Sequence, residues 1–465
     1  MTSHLISEFW DKKALPSLMD FIRIPALSTA FDAEWKKHGY LYQTCEHVAA
    51  WIQKQIPDAK CEIIQDGERT PCLFVEILSK NVEKNDTTVA FYGHFDRQPE
   101  ASGWGEGLGP WNPVIRNGKL YGRGTSDDGY SVYMMIAAIA ALREKQIDHP
   151  RCIGIFETQE ESGSLDLPYY LQKLKDRFNN PTSLFVLDSH CGDYQRVWLS
   201  ASLRGIMSGT LTVKTLDHGV HSGTYSGMVP DAFAIAQTLL TRLHDPITGE
   251  VKIDACHTQI PETRRQQLTY ASEVLGDLVW NHSPLLEGVS TKLNKNDEIL
   301  LNITWKPALT VIGVEGLPCI ANAANVVTKE VKFALSMRLP PNINTKLAAQ
   351  SVRETLLKNP PYGAHVDWTN VNVHPGWAMK SANVKNEELL DQASQIVFGQ
   401  KAVFTGQGGS ISVIADFEKT FPNSTIVLTG ILGPDSNAHA PNESLDIQYT
   451  KQLTEVISIY LKSVL

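Results

Sequence analysis

Two histidines and a set of acidic residues are the side chains in this sequence best placed to do chemistry. In Gly93-His94-Phe95-Asp96 an imidazole and a carboxylate stand two residues apart, just after the apolar run Val89 to Tyr92. Side chains at that spacing in an extended chain share a face. An imidazole that binds a metal needs its second ring nitrogen held by an acceptor, and a carboxylate close by can do that or orient a water. Asp96 fits that need. Farther on, Gly122-Arg123-Gly124-Thr125-Ser126-Asp127-Asp128-Gly129 places two aspartates where a polar loop enters the Ala-rich apolar run Tyr130 to Leu142. Taken singly, a strand-end histidine is usually a hydrogen-bonded structural residue, and aspartates before a helix usually cap it. The combination in this order is rarer and points to a metal site.

Two further runs repeat the pattern. Cys152 to Phe156 reads as a buried strand that leads into Glu157-Thr158-Gln159-Glu160-Glu161-Ser162-Gly163-Ser164, and Leu184 to Leu187 leads into Asp188. Open α/β sheets hold their ligands at the carboxyl ends of strands. Neighbours in an extended chain point opposite ways, so one of Glu160 and Glu161 can bind metal while the other faces a water. Three strands therefore end in candidate ligands: His94, Glu161 and Asp188. Oxygen and imidazole donors without thiolate suit one or two zinc ions, with manganese or cobalt as substitutes. Asp127 is the candidate to bridge two ions, and His439, in the loop Gly430 to Glu443, is the candidate final ligand.

The elements that must position these residues read as follows. Residues 1 to about 56 predict two helices, the second over Tyr40 to Gln55. Strands are expected at Cys61 to Ile64, Cys72 to Ile77 and Val89 to Tyr92, and a hairpin around Asn117-Gly118, a pair that supplies the positive φ of a two-residue turn. From about Arg204 the pattern changes to alternating strands, at Ile206 to Lys214, Ala308 to Val314, Val326 to Leu339 and Ala364 to Val373, with helices at Pro230 to Leu243 and Lys346 to Leu357. These form a separate α+β unit with an antiparallel sheet; residues 250 to about 305 yield no assignment. The α/β character returns after Trp377, with a helix at Glu387 to Phe398, a Gly-rich turn at Gly406 to Ile411 opening another helix, a strand at Ser424 to Thr429 and a C-terminal helix. Gly406 to Ser410 lacks the Gly-Lys-Ser/Thr ending of a phosphate-binding loop. The expected boundaries are a catalytic domain over 1–203 and 376–465 with an inserted domain over 204–375.

Taken in order, GHFD, GRGTSD, EESGS, VLD and AHAPNE resemble the motifs of the co-catalytic zinc peptidases that include carnosinases, glutamate carboxypeptidase, aminoacylase and succinyl-diaminopimelate desuccinylase, with the carnosinase-type cytosolic dipeptidases the most similar subgroup. The resemblance implies an α/β catalytic domain with a mixed sheet between helices and an inserted α+β lid and dimerisation domain. It implies two zinc ions held by His94, Asp127, Glu161, Asp188 and His439, with Asp96 as supporting acid and Glu160 as general base. It further implies that His221, in His221-Ser222-Gly223, acts across a homodimer on the oxyanion, and that Asn325, Arg338, Gly409 and Ser410 contact substrate, the arginine clamping a terminal carboxylate. The implied reaction is hydrolysis of dipeptides or short peptides with a free carboxylate. Deacylation of N-acyl amino acids, carboxypeptidase activity and a non-catalytic metal- and peptide-binding module are the alternatives. Two departures bear on subgroup and specificity. Asp128-Gly129-Tyr130 replaces a Lys-Gly that the family usually carries, and Asn325-Val326-Val327-Thr328 lacks a proline often found there.

Composition agrees with this reading. The 465 residues are 42% hydrophobic and 20% charged, enough for two or more compact units with ample core. A net charge of −9 argues against nucleic-acid and anionic-membrane partners. The N-terminus has no signal-peptide pattern, and no apolar run spans a bilayer. Seven scattered cysteines without a C-x-x-C pair read as reduced cytosolic thiols, so a cytoplasmic location is expected.

Overall fold

A computed structural model describes residues 2–281, 283–380, 384–409 and 411–465. The backbone divides into two compact units, one comprising Met1–Ser200, Met379–Phe404 and Ser412–Leu465, the other Ala201–Ala378 and Thr405–Ile411.

The first unit is built on a six-stranded mixed sheet in the order Lys60–Ile64, Cys72–Ile77, Arg151–Glu157, Thr88–His94, Ser183–Val186, Thr425–Leu428. The last four strands run parallel, and the first two form an antiparallel pair at one edge. Strand Thr88–His94 is buried at every residue, as a strand covered on both faces must be. Helix Tyr130–Glu144 is apolar almost all round, and its residues Tyr130 to Ile139, Ala141 and Leu142 are buried. The C-terminal helix Ile447–Ser463 starts at Asp446, whose carboxylate accepts the Tyr449 N–H at 2.8 Å. Trp10 Nε1 donates to Thr454 Oγ1 at 2.9 Å, tying the N-terminal helical run to it. Strands Val114–Arg116 and Lys119–Tyr121 form the hairpin, with Asn117 at φ 51° and Gly118 at φ 76°. Ser444–Asp446 adds a third strand to that hairpin.

The second unit has a four-stranded antiparallel sheet in the order Ala308–Glu315, Glu330–Leu339, Gly205–Lys214, His365–His374. Burial alternates along Gly205–Lys214 and Glu330–Leu339, so each strand gives one face to a core. Helices Ala232–Leu243 and Thr345–Leu357 cover that face, with Leu211, Val213, Leu239, Phe333, Val352 and Trp368 in one apolar cluster.

Three expectations are corrected. The run Val326 to Leu339 is two strands: Val326–Val327 pairs with Val220–His221, and Glu330–Leu339 enters the large sheet, the Lys329 carbonyl meanwhile accepting the Thr215 N–H at 3.0 Å. The segment 250–305 holds helices Glu262–Leu275 and Asn296–Trp305. Gly406 and Gln407, expected in a turn, end a strand, Val403–Gln407, while the helix expected after Ile411 begins at Ser412. Residues 405–411 group with the second unit, where the Arg204 N–H donates to the Gln407 carbonyl at 3.1 Å. No helix among the described residues is long and apolar enough to cross a membrane.

Gly209 lies under Trp368, where a Cβ would sit 2.9 Å from the indole Cε2 and closer still to Cζ2 and Cη2. Gly209→Ala is expected to destabilise the second unit by about 1–3 kcal/mol through overpacking, measured as a lowered urea midpoint followed by tryptophan fluorescence.

Candidate metal centre

The carboxyl ends of the parallel strands deliver the acidic and imidazole side chains to one place in the first unit. His94 ends its strand in register with Glu157, Glu160 and Glu161 follow in the next turn, and Asp188 comes two residues after Ser183–Val186 ends. Their donor atoms form two groups that share one residue: His94, Asp127 and Asp188, and Asp127, Glu161 and His439, with the atoms of each group within 4.8 Å of one another. Asp127 turns its two oxygens to opposite sides. Oδ1 lies 3.1 Å from His94 Nε2, and Oδ2 lies 2.8 Å from His439 Nε2. Asp188 Oδ2 is 4.0 Å from His94 Nε2, and Glu161 Oε2 is 3.3 Å from His439 Nε2. His94 is fully buried, whereas the His439 side chain is 55% exposed, so the cluster opens to solvent on the His439 side.

Asp96 orients both the imidazole and the acidic pair. Its backbone carbonyl lies 3.1 Å from His94 Nδ1, which places the ring proton there and leaves Nε2 as the donor atom facing Asp127. Its carboxylate accepts the Glu160 N–H at 3.1 Å and the Glu161 N–H at 3.0 Å. Arg97, next in the chain, donates to the Phe21, Ile22 and Ile24 carbonyls and so fastens this turn to the end of the N-terminal helical run.

Three residues of this centre have no precedent in the sequence reading. Gln98 donates to Glu161 Oε2 at 2.8 Å. Glu443, buried, accepts through Oε1 the N–H groups of Gly124, Ser126 and Asp127 at 3.0, 3.2 and 3.3 Å, and through Oε2 the Arg123 guanidinium at 2.8 Å. The motifs GRGTSD and AHAPNE contain this pair, but only folding shows that one reads the other.

The electrostatics call for positive charge. Burial, then the nearby Asp127 carboxylate, push Asp188 up to about 7. Burial likewise pushes Glu160 well above the usual carboxylate range, with Asp188 and Glu161 adding to it against His94. Hydrogen bonds to Asp127 and Glu161 raise His439 to about 10. Burial works against ionised Asp127, yet the two imidazoles hold it below the ordinary range. The cluster thus stabilises charged imidazoles in the positions where divalent cations would compensate the carboxylates. A donor set of imidazole and carboxylate, shared through one two-sided carboxylate, fits a pair of such ions.

The other expected residues that the structure describes lie in the second unit. His221 and Asn325 are neighbours there: His221 pairs with Val326, and the Ser222 N–H donates to the Asn325 carbonyl at 2.8 Å. His221 Nδ1 accepts the Gly223 N–H at 3.1 Å, so the neutral ring carries its proton on Nε2. Arg338 is half-buried on Glu330–Leu339. Arg204, which the sequence reading passed over, donates to the Gly408 carbonyl at 3.2 Å and the Lys306 carbonyl at 3.3 Å, and burial, then Arg338, bring its guanidinium down to about 10. It thereby holds the backbone beside Gly409. Ser410 lies outside the described residues.

Glu443→Ala would leave the Arg123 guanidinium buried and unpaired, and is expected to cost about 3–5 kcal/mol of stability, read from urea unfolding. Zinc added to chelator-stripped protein at about a hundred times its dissociation constant should stabilise the fold by roughly 2.7 kcal/mol. The thermal midpoint should rise with zinc and fall again with EDTA; a midpoint indifferent to both would contradict the metal site.

Comparison with known proteins gives the centre its context. Human Beta-Ala-His dipeptidase is 27% identical over 398 residues, covering 82% of this chain and 76% of that protein. The Cys-Gly metallodipeptidase dug1 of Schizosaccharomyces pombe is 26% identical over 395 residues, covering 82% and 81%. The crystal structure of human carnosine dipeptidase 1 superposes with a TM-score of 0.73 at 21% identity, covering 99% of this chain and 97% of that one, a likeness of fold. Peptidase family M20/M25/M40 matches residues 90–464, a span that holds all the residues of the two donor groups, and the chain belongs to that family.

Proposed function

We propose that this protein is a zinc metallodipeptidase that hydrolyses the peptide bond of dipeptides with a free C-terminal carboxylate. The observation that carries the reading is the pair of donor groups sharing Asp127. The dipeptidase names of the relatives in human and Schizosaccharomyces pombe support the substrate class. Two zinc ions per chain are proposed, replaceable by manganese or cobalt. His94 and Asp188 would hold one ion, Glu161 and His439 the other, and Asp127 both. When bound, such a pair supplies an activated water at neutral pH and polarises the scissile carbonyl.

The protein's own groups do the rest. Glu160 takes the proton of the attacking water on its carboxylate and passes it to the leaving amine. Asp96 keeps Glu160 and Glu161 in place through their amides. Arg338 donates its guanidinium N–H groups to the terminal carboxylate of the substrate, with Ser410 at the same end and Asn325 and Gly409 as further substrate contacts. His221, offered by a second copy in a homodimer, donates from Nε2 to the oxyanion of the tetrahedral intermediate. The second unit would then be both lid and dimerisation domain.

Chelator-stripped protein should cleave a panel of dipeptides only after zinc or manganese is restored, and should leave N-acetyl amino acids intact; the reverse preference would make it a deacylase. Glu160→Gln should keep its metal content while turnover falls by about 10²–10⁴-fold. Mixing that variant with His221→Ala should recover part of the activity, and failure to complement would remove the shared site.

A further inference from the structure

The helix that follows Asp127 begins with a side chain that reaches across to another candidate ligand. Tyr130 is fully buried, and its hydroxyl donates to the carbonyl of Leu187, the residue before Asp188. Strand Ser183–Val186 has ended by then; its Val186 carbonyl takes the Thr429 N–H at 3.0 Å. From Leu187 the backbone leaves the sheet but stays buried, with Leu187 itself 0% exposed. A buried carbonyl beyond the end of a ladder still needs a donor, and the phenol supplies it. Gly430 closes on the same stretch, where a Cβ would lie 2.8 Å from the Leu187 oxygen and 2.5 Å from the Ser189 nitrogen. The main chain on both sides of Asp188 is thus gripped.

The grip falls at a departure from the family's pattern. In place of the Lys-Gly that is usual soon after the bridging aspartate, this chain has Asp128-Gly129-Tyr130. Gly129 leaves no room for a side chain, since a Cβ would lie 2.5 Å from both the Gly124 carbonyl oxygen and a Phe21 ring carbon. The side chain appears one residue later and points to the Asp188 segment instead.

We propose that Tyr130 is a positioning residue: by holding the Leu187 carbonyl it fixes the Asp188 carboxylate toward His94, and so sets the affinity of the ion held by that pair independently of the ion held by Glu161 and His439. The proposal rests on the two-metal reading above. It concerns where a carboxylate is held, and assigns the tyrosine no contact with substrate.

The test is zinc titration of chelator-stripped protein in competition with a chromophoric chelator, on the wild type, Tyr130→Phe and Tyr133→Phe. Tyr133 lies in the same helix, is equally buried, and shares its hydroxyl with Ser17 Oγ at 3.2 Å, so it controls for the loss of any buried phenol. Tyr130→Phe is expected to weaken one of the two sites by about 10–100-fold and leave the other unchanged, while Tyr133→Phe leaves both unchanged. Thermal unfolding of the metal-free forms separates lost affinity from lost stability. Two sites that are both unmoved in Tyr130→Phe, or both weakened together, or an equal effect of Tyr133→Phe, would overturn the proposal and leave the metal centre standing. A wild type that binds no zinc would overturn the metal centre itself.

Discussion

The carboxylate of Glu443 is the constraint on which the centre depends. It gathers three backbone N–H groups of the loop 124–127 and the guanidinium of Arg123, all in the buried interior. Hydrogen bonds to a charged partner are worth about 1.5–3 kcal/mol each, and an unpaired buried charge costs more than the bond returns. That asymmetry makes the arrangement close to all-or-none. Because Asp127 belongs to both donor groups, one anchored loop sets the distances in each.

Around that anchor, the acids divide their work by what their oxygens meet. Asp96 accepts one amide on each carboxylate oxygen and turns its carbonyl to an imidazole, so its bonds serve to position its neighbours. Asp188 faces His94, Glu161 takes His439 and Gln98, and Glu160 lies in the field of Asp188 and Glu161. Burial raises Asp188 and Glu160 above the usual carboxylate range, a cost of ionisation that bound cations would offset. Family membership and local electrostatics therefore lead independently to metal.

Elements whose signal is local could be read from the chain. Val89 to Tyr92 and Leu184 to Leu187 are uninterrupted apolar runs, and Asn117-Gly118 is a turn that its own backbone demands. Helix Glu262–Leu275 could not be, because only Arg264, Leu268, Ala271 and Ser272 are buried along it and it shows no clean apolar stripe. The break inside Val326 to Leu339 was hidden because both pieces are β-prone and only their partners differ. At the centre, His94, Glu161 and Asp188 could be nominated from residue type and position at strand ends, and Asp127 and His439, both in loops, as the carboxylate and imidazole that would complete their set. The supports Gln98, Arg123, Glu443 and Tyr130 could not, since each acts through a partner far along the chain.

The pairing of Asp127 with Glu443 spans 316 residues, and this dictates the order in which the protein can become whole on the ribosome. The nascent chain will have made five of the six strands of the first sheet by Val186, yet the edge of Ser183–Val186 stays open until Thr425–Leu428 emerges. The large antiparallel sheet of the second unit is complete by His374, well before that. An unpaired parallel edge invites wrong partners during translation. All four strands of that sheet are therefore on the chain first, while the open edge of the first sheet waits for the last stretch, which also brings His439 and Glu443.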